Sequence, residues 1–163
     1  MNDDASWSDS DLHLASDEAD PDRNAVYDAE EVWWMEICDE SEEDEATYLE
    51  PETVVPYMVA ALQAGGWSTS VRPVVLFDIS TASGFTGLHR PTSSTIHLHP
   101  ELCSPDAVLH ELSHWIDNRD GHGPIHQANM VTLVDGALGS EAALHLLRTY
   151  RSFGLSPDED RLP

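Results

Sequence analysis

The chain is 163 residues long, enough for one domain with a single modest core and too short for a second enzyme domain. Its 31 Asp and Glu stand against 7 basic residues, all Arg, for a formal net charge of −24, which disfavours direct binding to nucleic acid or to an anionic membrane. Two cysteines, Cys38 and Cys103, are too few for a disulfide framework; no signal-peptide pattern opens the sequence, and no apolar run nears the roughly 20 residues of a membrane span. The expectation is a soluble, cytoplasmic protein.

The acid is concentrated at one end. Residues 1–52 carry 20 Asp and Glu against Arg23 alone, a net of −19, while residues 53–163 carry 11 against six Arg, a net of −5. Residues 1–22 combine high charge with scattered apolar side chains and read as a disordered acidic tail. Such a tail is first a solvating segment and second a surface for a protein partner or a DNA mimic. Residues 24–38 place Val26, Ala29, Trp33 and Ile37 on one helical stripe, with Tyr27, Trp34 and Cys38 beside it. The adjacent tryptophans are expected to pack on the core, and residues 39–45 to form a charged linker.

Residues 51–64 read as a second helix that accommodates Pro56 in an early turn and stops at Gly65-Gly66. Residues 70–80, rich in Val, Leu, Phe and Ile, predict a strand, and residues 81–91 a turn and loop. Residues 95–99 alternate with period two, which aims Ile96 and Leu98 at the core and leaves His97 and His99 as exposed strand histidines. Helical spacing returns in residues 124–138 and 140–150, joined near Gly136 and Gly139, and residues 156–163 are a polar C-terminal tail. Cys103 reads as a small buried thiol.

Between these elements lies the stretch that carries chemistry, residues 104–126, SPDAVLHELSHWIDNRDGHGPIH. His110-Glu111-Leu112-Ser113-His114 is an HExxH motif, and on a helix its two imidazoles lie one turn apart on one face. A shuffled chain of this composition contains HExxH about 4 times in 100, so the flanking signals carry weight. Ser104 suits an N-cap, Pro105 the first helical position, and Asp106 the first turn, where the helix dipole favours an anion. Val108, Leu109, Leu112, Trp115 and Ile116 supply the apolar face that locks the helix in place.

Two histidines at this spacing can share one Zn2+, while Glu111 reaches a water rather than the metal and becomes the general base. Residues 117–121 are a turn-forming string, so a histidine just beyond it can swing back to supply a third ligand and leave a fourth position open. His122 is first choice, with His126, Asp117 and Asp120 as competitors. Zinc at such a site would activate water to attack a carbonyl, with His126, Arg119, Tyr57 or a backbone amide as an extra donor to the oxyanion.

The HELSH segment followed by HGP resembles the SprT-like zincin peptidases. More closely, the chain is similar to a metallohydrolase family of actinobacteria and their phages, through Val26-Tyr27-Asp28-Ala29-Glu30, Ser94-Thr95-Ile96-His97-Leu98, the motif itself, Gly139-Ser140-Glu141-Ala142-Ala143, Leu147-Arg148 and Phe153-Gly154-Leu155. The resemblance implies an α+β fold: a small zincin-like domain, residues 23–155, whose HExxH helix packs on a short β-sheet with further helices around it. It implies His110, His114 and His122 as metal ligands and Glu111 as the catalytic residue. It also implies that the strand at residues 95–99 borders the cleft and offers its backbone to an extended peptide or protein substrate. His126 departs from the family pattern, which has an aromatic residue there.

The expected function is therefore a zinc-dependent metallohydrolase, a peptidase first of all. The alternative is a non-catalytic, zinc-stabilised acidic protein that binds a partner or mimics DNA.

Overall fold

Helix α1 (Arg23–Glu40) forms where the apolar stripe predicts it and runs two residues past Cys38. Val26, Ala29 and Trp33 are fully buried on one face, and the Trp33 indole N–H donates to the Ala142 carbonyl at 3.1 Å, so the first tryptophan is a core anchor. This computed structural model describes residues 20–40, 48–119 and 121–163. Most of the expected acidic tail, most of the expected linker and Asp120 lie outside the described residues.

Helix α2 (Pro51–Ala64) begins on a proline and continues through Pro56, burying Val54, Met58, Ala61 and Leu62. Helix α3 (Pro105–Asp117) carries the HExxH motif; α4 (Pro124–Leu138) and α5 (Ser140–Ser152) follow, separated at Gly139. Ser104 holds the extended backbone of an N-cap before α3, although its hydroxyl makes no capping bond. The core joins α1, α2 and α5 to the buried faces of α3 and α4 through Met58, Leu62, Leu109, Leu112, Met130, Leu133, Leu146 and Tyr150. Helix α4 is buried without interruption from His126 to Val134, as expected of a central helix. Gly136 lets α2 approach it, because a Cβ there would lie 2.8 Å from the Ala64 Cβ.

Three strands complete an α+β fold: β1 (Val74–Leu76), β2 (Gly87–Arg90) and β3 (Thr95–Leu98), in the order β1-β3-β2. β1 pairs parallel to β3 with Val75 opposite Ile96, and β2 pairs antiparallel with His89 opposite Ile96. The long strand expected over residues 70–80 contracts to three residues, because β3 offers only four to pair with.

Two expectations are corrected here. Residues 81–91 are not all loop: β2 lies within them, and its four residues between Thr86 and Pro91 are too few to show alternation. β3 is not the strand that borders a cleft, since it is paired on both sides. Among the described residues β2 pairs only with β3, so its other edge has no strand beside it, and α3 packs against β2. Gly87 marks that approach, since a Cβ there would sit 2.6 Å from Glu111 Cγ.

Ile96 and Leu98 are fully buried as predicted, but His97 and His99 are buried too. The C-terminal residues lie along α4: Asp158 N–H donates to the Pro124 carbonyl at 3.0 Å, and Thr132 donates to the Arg161 carbonyl at 3.2 Å. No helix among the described residues is long and apolar enough to cross a membrane.

Candidate metal centre

The face of α3 that carries His110 and His114 turns inward, and the chain reverses directly after it. Asn118 adopts the left-handed conformation (φ 49°, ψ 47°), and Arg119 N–H bonds back to the His114 carbonyl at 3.1 Å, a helix stop that asparagine tolerates better than most residues. The return brings His122 to the start of α4 and His126 onto its first turn. One ring nitrogen from each of His110, His114, His122 and His126 then lies within 4.8 Å of all the others. All four side chains are buried, none more than 5% exposed. The three expected ligands are together, and the strongest competitor is with them.

Hydrogen bonding fixes which nitrogens face inward. His110 donates its Nδ1–H to Glu30 Oε2 at 2.6 Å, and His122 donates its Nδ1–H to Asp20 Oδ2 at 2.6 Å. Ser113 gives its only hydroxyl proton to the His110 carbonyl at 2.7 Å, so its oxygen must accept from His126 Nδ1–H, also at 2.7 Å. These bonds leave Nε2 as the acceptor nitrogen of each ring; those of His110 and His122 face one another, while His126 Nε2 also lies 3.8 Å from Glu30 Oε1. His110 Nε2 lies 3.2 Å from both His114 Nε2 and His122 Nε2. Among the described residues, His126 Nε2 and His114 Nδ1 are buried without a hydrogen-bond partner.

Facing lone pairs repel unless a cation lies between them. Nitrogens bound at 2.0 to 2.1 Å to one tetrahedral zinc are about 3.3 Å apart, which matches the two 3.2 Å separations. The carboxylates on His110 and His122 are the outer partners that orient metal-ligating histidines. The residues thus fit a divalent cation.

The electrostatics of three of the four rings agree with that fit. Burial would raise the Glu30 carboxyl, but His110 and His126 overcome it and hold it well below the usual carboxylate range. Tyr150 also donates its hydroxyl to Glu30 Oε1. Burial would lower His110, but Glu30 pushes it up to about 9. Burial and the surrounding imidazoles push His114 well down, and burial above all takes His126 down to about 4. Burial, reinforced by His110, also lowers His122. Burial thus favours the neutral form of His114, His122 and His126, the form that binds a metal.

Glu111 lies outside the imidazole ring, on the β2 side. Burial raises its carboxyl to about 7, against the charge of His110 and a hydrogen bond from the His89 backbone, a range suited to proton transfer. Tyr27 stacks on His110 with centroids 5.1 Å apart and tilts against His122 at 5.0 Å, yet remains 44% exposed. Burial first and Glu111 second raise its hydroxyl pKa. Beside His114 and His126 opens a cavity of about 390 Å³, also lined by Ser113, Asp117, Arg119 and Asn129.

Other sequence candidates are placed elsewhere. Asp117 accepts from Asn129 at 2.6 Å and from Arg161 at 3.1 Å, and is outside the imidazole group. Tyr57 is on α2, its buried hydroxyl pushed up to about 12 by burial and then by Asp106. Cys103 is buried, and its thiol donates to the His99 carbonyl at 2.9 Å. Sequence reading missed Asp20, Tyr27, Glu30 and Ser113. Glu30 had a signal: it falls on the buried stripe between Val26, Ala29 and Trp33, where a carboxylate needs a partner. No protein-family model matches this chain, nor does any curated protein or solved structure.

Proposed function

We propose that the protein is a zinc-dependent metallohydrolase of the HExxH type, acting first on peptide bonds, and that it belongs with the zincin-like metallohydrolases it resembles. One observation carries this reading: the Nε2 atoms of His110, His114 and His122 converge, and buried Glu111 is the residue next to His110. An all-imidazole set of this geometry suits zinc. Bound there, zinc would supply Lewis acidity, polarising a carbonyl and lowering the pKa of water.

The chain's own residues do the rest. Glu111 takes the proton of the attacking water and returns it to the leaving amine. Glu30 and Asp20 hold the rings of His110 and His122 in one tautomer. Tyr27, packed against both of these rings and partly exposed, has a hydroxyl that can serve as a donor to a developing oxyanion. The outer edge of β2, beside Glu111, is the place for an extended peptide to add as a strand.

The test is turnover of a peptide library by zinc-loaded wild type and by Glu111→Gln. Cleavage by wild type and none by Glu111→Gln with zinc retained is the expected result; cleavage unchanged in Glu111→Gln sinks the assignment.

A second reading has its own observation. His126 brings a fourth inward nitrogen, and four protein ligands close a zinc site, as in structural centres. On that reading the metal stabilises an acidic interaction protein, and Glu111→Gln leaves its function intact.

A further inference from the structure

We propose that Asp20 is a positioning residue of the metal centre, and that through it the docking of the N-terminal segment and the loading of the metal form one coupled equilibrium. This rests on the metal reading above.

His110 and His114 are aimed by the backbone ladder of α3, whereas His122 has no helix to hold it. It sits at residues 121–123 between two glycines, after the α3 stop and before Pro124 opens α4. Its fixed points come from elsewhere. Asp20 Oδ1 accepts the His122 backbone N–H at 3.0 Å, and Oδ2 accepts its Nδ1–H at 2.6 Å. The His122 carbonyl accepts from Gln127 Nε2 at 2.9 Å, and the same nitrogen reaches Asp22 Oδ2 at 3.2 Å.

One carboxylate, 102 residues away in sequence and only 5% exposed, thus sets both the backbone and the ring of this ligand. Asp20 also bonds the start of α1, through Arg23 N–H to its carbonyl at 3.3 Å. Tyr27, one turn further along α1, lies over His110 and His122. The segment that ends the acidic N-terminus is therefore built into the wall of the centre.

Reciprocity follows from linkage. If the docked segment favours a His122 aimed at the metal, the metal favours the docked segment by the same factor. Asparagine at position 20 keeps the volume but replaces one acceptor oxygen with an N–H donor, so it cannot receive both bonds from His122.

The experiment compares zinc affinity, by competition with a chromophoric chelator, in the full-length wild type, Asp20→Asn and, as control, Asp28→Asn. Visible spectra of the Co2+-loaded forms and hydrogen exchange of the His122 amide with and without zinc accompany it. Zinc should bind Asp20→Asn about 10- to 100-fold more weakly, with a changed cobalt spectrum. Asp28→Asn, exposed on α1 and bonded to neither His122 nor Gln127, should bind as wild type does. Zinc should slow exchange of the His122 amide in wild type and not in Asp20→Asn. If wild type binds zinc and Asp20→Asn matches it in affinity and cobalt spectrum, the positioning role is wrong while the metal centre stands, even if Asp20→Asn is less stable metal-free. If wild type binds neither Zn2+ nor Co2+, the metal reading itself has failed and takes this inference with it.

Discussion

Of the seven buried histidines among the described residues, six fall into two groups that are built differently, and the seventh, His89 on β2, stacks on His114 at 6.3 Å. In the sheet, His97 donates Nδ1–H to Asp78 at 2.8 Å and accepts from Thr95 at 3.1 Å on Nε2. His99 accepts Glu101 N–H on Nδ1 at 3.1 Å and donates from Nε2 to Thr81 at 3.0 Å. Every ring nitrogen of this pair has a complementary partner. In the centre formed by α3 and α4, Nδ1 is satisfied on His110, His122 and His126, and the Nε2 atoms of His110, His114 and His122 are turned toward one another. Burial is common to both groups, so it does not mark a ligand; the convergent lone pair does.

The largest effects should follow removal of the cation or of a nitrogen that holds it. Chelation of zinc-loaded protein is expected to lower the melting temperature by about 10 °C, taking a zinc excess of about 1,000 Kd and the usual scaling for a domain of this size. His110→Ala and His122→Ala should abolish stoichiometric zinc and make melting insensitive to chelator. A chelator-sensitive His110→Ala would make the central group resemble the sheet pair after all.

Next in size is Glu111→Gln, for which a loss of about 10²- to 10⁴-fold in turnover is expected at unchanged zinc content. His126→Ala sharpens the comparison within the centre: under the hydrolase reading it keeps near-stoichiometric zinc. Loss of zinc from that variant would make His126 an obligatory ligand and favour a closed, structural site. The smallest effect belongs to the sheet. His97→Ala should cost about 1–3 kcal/mol of stability in denaturant unfolding, through its lost hydrogen bonds, with zinc content unaffected.

What could be read in the sequence was what is local. HExxH places two imidazoles and a carboxylate by helical geometry alone, and the turn string with HGP placed His122. The five α-helices among the described residues followed from apolar spacing and, for α3 and α4, from prolines at their first positions. β2 escaped because its identity depends on pairing with β3, which four residues between turn signals cannot announce. His97 and His99 were misassigned because alternation identifies the two faces of a strand but not whether both are covered, and β3 is the central strand. Asp20 was hidden within a charge run whose composition gives no reason to single it out; its partner is 102 residues away. His126 was legible as a rival to His122, but only the fold shows that all four imidazoles meet.

The most direct measurement is elemental analysis of the untagged protein after zinc reconstitution and removal of excess metal, in wild type and Glu111→Gln. About one zinc per chain in both is the result expected for a three- or four-imidazole centre with Glu111 beside it rather than on the metal. Protein that folds but retains no metal in either form would contradict the account at its base.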